Sequence, residues 1–121
     1  MYSRRQFLRF RVAGTATVKV PETNLALQGV IEKLSRGGIG VYTEIEIKME
    51  TSVALEFQVS IGAGSSKTSI TGIVKNFAIR EGKSILGIEF DREINSKNEP
   101  EIFKCLSELE VDLIMESRWI E

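Results

Sequence analysis

The sequence predicts a mainly β domain, a six-stranded antiparallel β-barrel followed by a C-terminal α-helix. Three observations carry this. Apolar residues recur every second position over most of residues 10–90. The apolar runs are separated by short polar turns, as in meanders and small barrels. After Phe90 the apolar spacing changes to three and four, the period of a helix.

Each element follows from its residues. Strand one covers residues 10–20, with Val12, Gly14, Ala16, Val18 and Val20 alternating against Lys19 and threonines, and ends at Pro21 before Glu22-Thr23-Asn24. Strand two runs over residues 25–34 and stops at Ser35-Arg36-Gly37-Gly38, where adjacent glycines permit backbone angles that other residues avoid. Ile39, Val41 and Thr43 resume the alternation to about Glu46. Val53, Leu55, Phe57 and Val59 face inward against Ala54, Glu56 and Gln58, the pattern of a half-buried antiparallel strand. Residues 62–66 read as a flexible hairpin loop, residues 68–79 as strand five, residues 80–83 as a turn and residues 84–90 as strand six. Asn98 with Glu101 resembles a capping box, and Pro100 suits a first helical turn. The helix is expected over residues 99–115, its face of Ile102, Leu106, Leu109 and Leu113, with Phe103 and Ile114, covering one open end of the barrel in preference to pairing with another chain. Trp119 is expected to fold back onto the barrel.

Length and composition exclude several classes. A chain of 121 residues fits one domain, and 42% hydrophobic with 27% charged residues is incompatible with wholesale disorder. No histidine is present, so the commonest general base and metal ligand is missing. The single cysteine, Cys105, sits in the apolar helical pattern and reads as a buried thiol, with a reducing, cytoplasmic setting expected. No apolar run is long enough for a membrane span, and no apolar segment backs the basic start as in a secretory signal. No nucleophile elbow, phosphate loop or metal helix appears, Gly62-Ala63-Gly64 reads as a turn, and Glu44, Glu46 and Glu50 read as a solvated face around Lys48, so the chain is not expected to be an enzyme or to hold a cofactor or metal.

Charge is segregated. Residues 1–21 carry Arg4, Arg5, Arg9, Arg11 and Lys19 and no acid, a local charge of +5, whereas the remainder carries −6. Guanidinium groups grip phosphate bidentately and stack on flat rings, so a compact anion is the natural partner. A nucleic-acid polymer is not, because the rest of the surface is net acidic and lacks aromatics interleaved with basic residues. The organisation expected is a flexible basic arm over residues 1–11, bearing Arg5-x-x-x-Arg9, and one barrel-and-helix module over residues 12–121.

Arg4-Arg5-Gln6-Phe7-Leu8-Arg9 followed by Lys33-Leu34-Ser35-Arg36-Gly37-Gly38 resembles the paired motifs of the PilZ family of bacterial cyclic di-GMP receptors, over essentially the whole chain to Gly87-Ile88-Glu89-Phe90. The resemblance implies a cyclic di-GMP site built from Arg5, Arg9, Ser35 and Gly38, with Arg4, Arg36 and Gly37 as additional candidates. Guanine offers O6 and N7 to a guanidinium, and Ser35 with its glycines offers a hydroxyl and open backbone. The arm should order on the ligand and act as a switch toward a protein partner of motility, secretion or polysaccharide machinery, in a monomer or weak dimer. Lys33 departs from the motif, which has Asp or Asn there. An ammonium cannot accept a hydrogen bond, and Glu32 is expected on the opposite strand face and so unable to replace it. Two outcomes stay open: a receptor, or a PilZ-like barrel that has lost the nucleotide and serves as a protein-interaction module.

Overall fold

The structure, a computed structural model, describes residues 7–120, with side chains described as far as residue 115. Six strands and one helix follow in order: β1 Gly14–Val20, β2 Leu25–Leu34, β3 Gly38–Tyr42, β4 Ser52–Ile61, β5 Gly64–Arg80, β6 Lys83–Phe90 and α1 Pro100–Ile120. The strands close into an antiparallel barrel in the order β1-β2-β3-β6-β5-β4, with β4 pairing back onto β1. Closure leaves no open sheet edge among these strands.

The interior is filled from alternate positions: Ala16, Val18 and Val20 of β1, Val53, Leu55, Phe57 and Val59 of β4, and Leu86, Ile88 and Phe90 of β6. Phe57 and Phe90 stack at 5.9 Å within this core. One end is covered by α1, whose Ile102 and Leu106 are buried in the same cluster as Ile94 of the preceding segment, with Phe103 packed beside them. The helical face expected to cap the barrel does so only in its first half. Beyond Glu110, Val111, Leu113, Ile114 and Met115 are exposed.

Several boundaries differ from those expected, each for a local reason. Strand one begins at Gly14, not at residue 10; Phe10 makes an isolated bridge to Leu34, each amide donating to the other's carbonyl at 2.9 Å. β3 ends at Tyr42 because the Thr43 hydroxyl accepts from the Ile45 amide and turns the chain outward, before Ile47 re-enters the core. Pairing of β4 with β5 continues to Ile61 opposite Gly64, so residues 64–66 belong to a strand and not to a loop. The helix extends to Ile120 and its start uses different caps. Asn95 accepts from the amides of Lys97 and Asn98, while Asn98 accepts from the Asn95 amide and donates to the Glu93 carbonyl, so Asn98 braces the approach to α1 and forms no capping box with Glu101. The packing of Trp119 lies outside the described side chains.

Gly37 and Gly38 make no use of the left-handed backbone open to glycine. A Cβ on Gly38 would stand 2.5 Å from the Ile88 carbonyl oxygen, so this glycine is required by the close approach of β3 to β6.

Two bulges interrupt the barrel wall. The β2–β3 register slips between Ile31 and Lys33, and the β5–β6 register slips between Val74 and Asn76. Each inserts a residue and reverses which side of the strand faces in. Leu27 and Ile31 point into the core before the first slip and Leu34 after it. Val74 points in before the second and Phe77 packs on the core after it.

Candidate functional site

On the outer face of the β2-β3-β6-β5 wall lies a shallow, open recess. Arg9, Glu32, Lys33, Ser35, Gly38, Gly40, Asn76, Arg80 and Gly87 are among its lining residues. Gly40 and Gly87 face each other across the β3–β6 ladder, so no side chains rise from that part of the floor. Arg9 reaches the recess because the neighbouring Phe10 is pinned to Leu34, one residue before Ser35. Arg80 and Asn76 arrive from β5, more than forty positions away in sequence from Ser35.

Glu32 corrects the expectation drawn from strand alternation. The bulge makes Glu32 and Lys33 share the recess, where simple alternation would place them on opposite faces. The Glu32 carboxylate is largely buried and accepts a long hydrogen bond, 3.4 Å, from Arg80 Nη1 at Oε2. Three cations, Arg9, Lys33 and Arg80, thus line the recess with one carboxylate, a balance that favours an anionic ligand.

The Ser35–Gly38 corner is closed on itself. Ser35 Oγ accepts from the amides of Gly37 and Gly38, at 3.2 and 3.1 Å, and donates to the Gly38 carbonyl at 3.4 Å. The Gly37 and Arg36 carbonyls accept from the amides of Phe90 and Ile94. With both lone pairs and its proton engaged, the Ser35 hydroxyl shapes the corner and has no unused hydrogen bond to offer a ligand.

Arg36 turns the other way. Its Nη2 donates to both carboxylate oxygens of Glu110 on α1 at 2.6 Å, and its guanidinium lies between the rings of Phe7 and Phe103 at 5.6 and 5.3 Å. Arg36 thus links the segment after Arg5, the corner and the helix. Neither Arg36 nor Gly37 lines the recess. Arg4 and Arg5 lie outside the described residues. Among sequence-derived candidates, then, Arg9, Lys33, Ser35 and Gly38 meet at one recess, and Glu32, Asn76 and Arg80 join them unforeseen. A signal for Glu32 was present in the sequence, in the switch of inward-facing apolar residues from Leu27 and Ile31 to Leu34.

Elsewhere, Cys105 is half-buried, and burial, with Glu108 nearby, pushes its thiol above the usual range, away from nucleophilic reactivity. Among the described residues no group of metal-ligating side chains is present, and no helix is long and apolar enough to cross a membrane.

The family model described as the PilZ domain matches residues 3–108. Among solved structures, the chain is similar to the Bacillus subtilis inhibitor of motility MotI/DgrA, at 13% identity and a TM-score of 0.73, covering 92% of this chain and 53% of that one. It is similar to the PilZ domain of Escherichia coli YcgR with c-di-GMP, at 20% identity and a TM-score of 0.58, covering 96% of this chain and 95% of that one. It is also similar to K. pneumonia MrkH in complex with c-di-GMP, at 16% identity and a TM-score of 0.60, covering all of this chain and 57% of that one. The chain therefore spans about half the length of MotI/DgrA and MrkH. No curated protein matches it.

Proposed function

The chain belongs to the PilZ domain family, and from that premise we propose that it is a receptor for cyclic di-GMP, binding without catalysis and passing occupancy of the site to a protein partner in the cytoplasm. The observation that supports this most directly is the recess itself, which Arg9, Lys33 and Arg80 line together with Glu32 and the paired glycines Gly40 and Gly87. Three cations against one carboxylate match a ligand with two phosphates, and the low floor admits a flat base. Arg9 and Arg5 supply guanidinium groups for guanine O6 and N7 and for phosphate, with Arg4 as a further cation of the arm. Gly38 and Ser35 hold the corner against which the ligand rests.

Transmission follows from the arm. Phe7 lies between Arg5 and Arg9 in sequence and stacks on Arg36, which grips Glu110 of α1. Arginines drawn onto a ligand pull on that stack, and the helix feels the change. The complexes with c-di-GMP reported for YcgR and MrkH support the ligand, and MotI/DgrA, named an inhibitor of motility, supports a partner in motility, with secretion or polysaccharide machinery as the other classes.

Titration calorimetry with cyclic di-GMP tests the reading. Saturable binding is expected, and Arg9→Ala should weaken it by roughly ten- to hundredfold, the value of a charge-assisted contact. Absence of heat with the unmodified protein would reject the receptor.

A second reading is favoured by two observations, the internal satisfaction of Ser35 and the packing requirement at Gly38. On that reading the motif persists for the fold, and the chain is a nucleotide-free adaptor. Capture of a partner that ignores added dinucleotide, together with silent calorimetry, is the result it predicts.

A further inference from the structure

We propose that Glu32 is the specificity-determining residue of the recess, an acceptor that reads the donor edge of a guanine and rejects adenine. This rests on the cyclic dinucleotide reading and goes beyond it by naming the group that chooses the base.

The argument begins with the bulge. Without the slip between Ile31 and Lys33, the residue before Lys33 would face away from it. With the slip, the Glu32 carboxylate enters the same recess, and the acceptor lost when a lysine occupies position 33 is supplied from position 32. The carboxylate is held from one side only. Arg80 Nη1 reaches Oε2, and among the described residues no donor meets Oε1. Oε1 lies against the floor, since a Cβ on Gly40 would come within 2.5 Å of it. The oxygen itself occupies the space above Gly40, so a ring resting beside it over Gly87 would bring its edge to that oxygen.

Base chemistry decides what the oxygen selects. Guanine carries an N–H and an exocyclic amino group side by side on its Watson–Crick edge, whereas adenine presents a ring acceptor in the corresponding place. An ionised carboxylate accepts and cannot donate. Against guanine it gains a charge-assisted hydrogen bond; against adenine, acceptor meets acceptor and a largely buried charge is left poorly paired. Arg80 sharpens the choice by holding Oε2 and limiting rotation of the carboxylate. Sites built around such a hydrogen bond discriminate strongly against analogues that lack it.

The experiment is parallel calorimetric titration of cyclic di-GMP and cyclic di-AMP into the unmodified protein, Glu32→Gln and Gly40→Ala, with thermal unfolding of each variant confirming that it is folded. Expected is a preference for the guanine ligand of at least about tenfold in the unmodified protein, with a loss of guanine affinity and a narrowed ratio in Glu32→Gln. Gly40→Ala adds a methyl that pushes Oε1 aside and leaves every charge in place, so it decides the matter if Glu32→Gln does not fold. A methyl acting only by blocking the floor would weaken both ligands alike and leave the ratio unchanged, which counts against the proposal. An unchanged ratio in the variants, or equal binding of both dinucleotides to the unmodified protein, overturns the role of Glu32 while the receptor stands. Failure of the unmodified protein to bind either ligand removes both.

Discussion

Gly38 shows how a residue named by a motif can be held in place by packing. Its backbone is ordinary, yet a Cβ would strike the Ile88 carbonyl on the neighbouring strand. Gly38→Ala should cost about 1–3 kcal/mol, as overpacking does, and lower the midpoint of chemical denaturation. Ser35 is similar, its hydroxyl spent on the amides of Gly37 and Gly38. Arg9 differs, being exposed with its head at the recess, which is why its removal is expected to act on binding and leave stability nearly unchanged. Arg9, Ser35 and Gly38 were singled out through the resemblance of their motifs to the family's. The place of Glu32 was not, because period-two reasoning assigns neighbours to opposite faces and a bulge suspends that rule.

Bulges in β2 and β5 do the same job on the two strands that flank the β3–β6 pair. One turns Glu32 to the recess beside Lys33, and the other realigns β5 so that Asn76, Ala78 and Arg80 line the opposite wall. Strand existence and order were legible because alternation survives on either side of each slip. The ends of β1, β3 and α1 were less so, since they are set by Phe10 pairing with Leu34, by the Thr43 hydroxyl and by the Asn95–Asn98 brace, contacts that composition does not announce. For α1, the decisive contact is Arg36 with Glu110. Both side chains are partly shielded and the geometry is bidentate at the carboxylate, so a double-mutant cycle of Arg36→Met and Glu110→Gln should give a coupling of about 1 kcal/mol, the upper end for exposed pairs. Hydrogen exchange should quicken in the second half of α1 when either partner is replaced. A coupling near zero would detach the helix from the corner and remove the proposed route of transmission.

Strands and helix share one core, so the barrel and its cover should unfold together. Leu106 is buried with Ile94, Ile102 and the strand residues in a continuous cluster. Leu106→Ala should therefore cost about 2–5 kcal/mol and shift helix-sensitive and strand-sensitive probes of unfolding by the same amount; separate transitions would show the helix to be an independent unit. The segregation of charge, visible along the chain as a basic beginning and an acidic remainder, acquires its meaning only once the sheet closes. Closure of β3 on β6 and β6 on β5 brings Arg80 and Asn76 of β5 to Lys33 and Ser35, and so adds distant cations to Arg9 of the basic beginning at one recess. Strands, helix, family and motif residues were all written in the order of amino acids, because alternation, turn chemistry and motif spacing are local properties that a one-dimensional pattern records. Which face Glu32 occupies, which residues of β5 meet it and where Arg36 points were set by register slips and barrel closure, because these depend on how distant segments pair and no local preference specifies that.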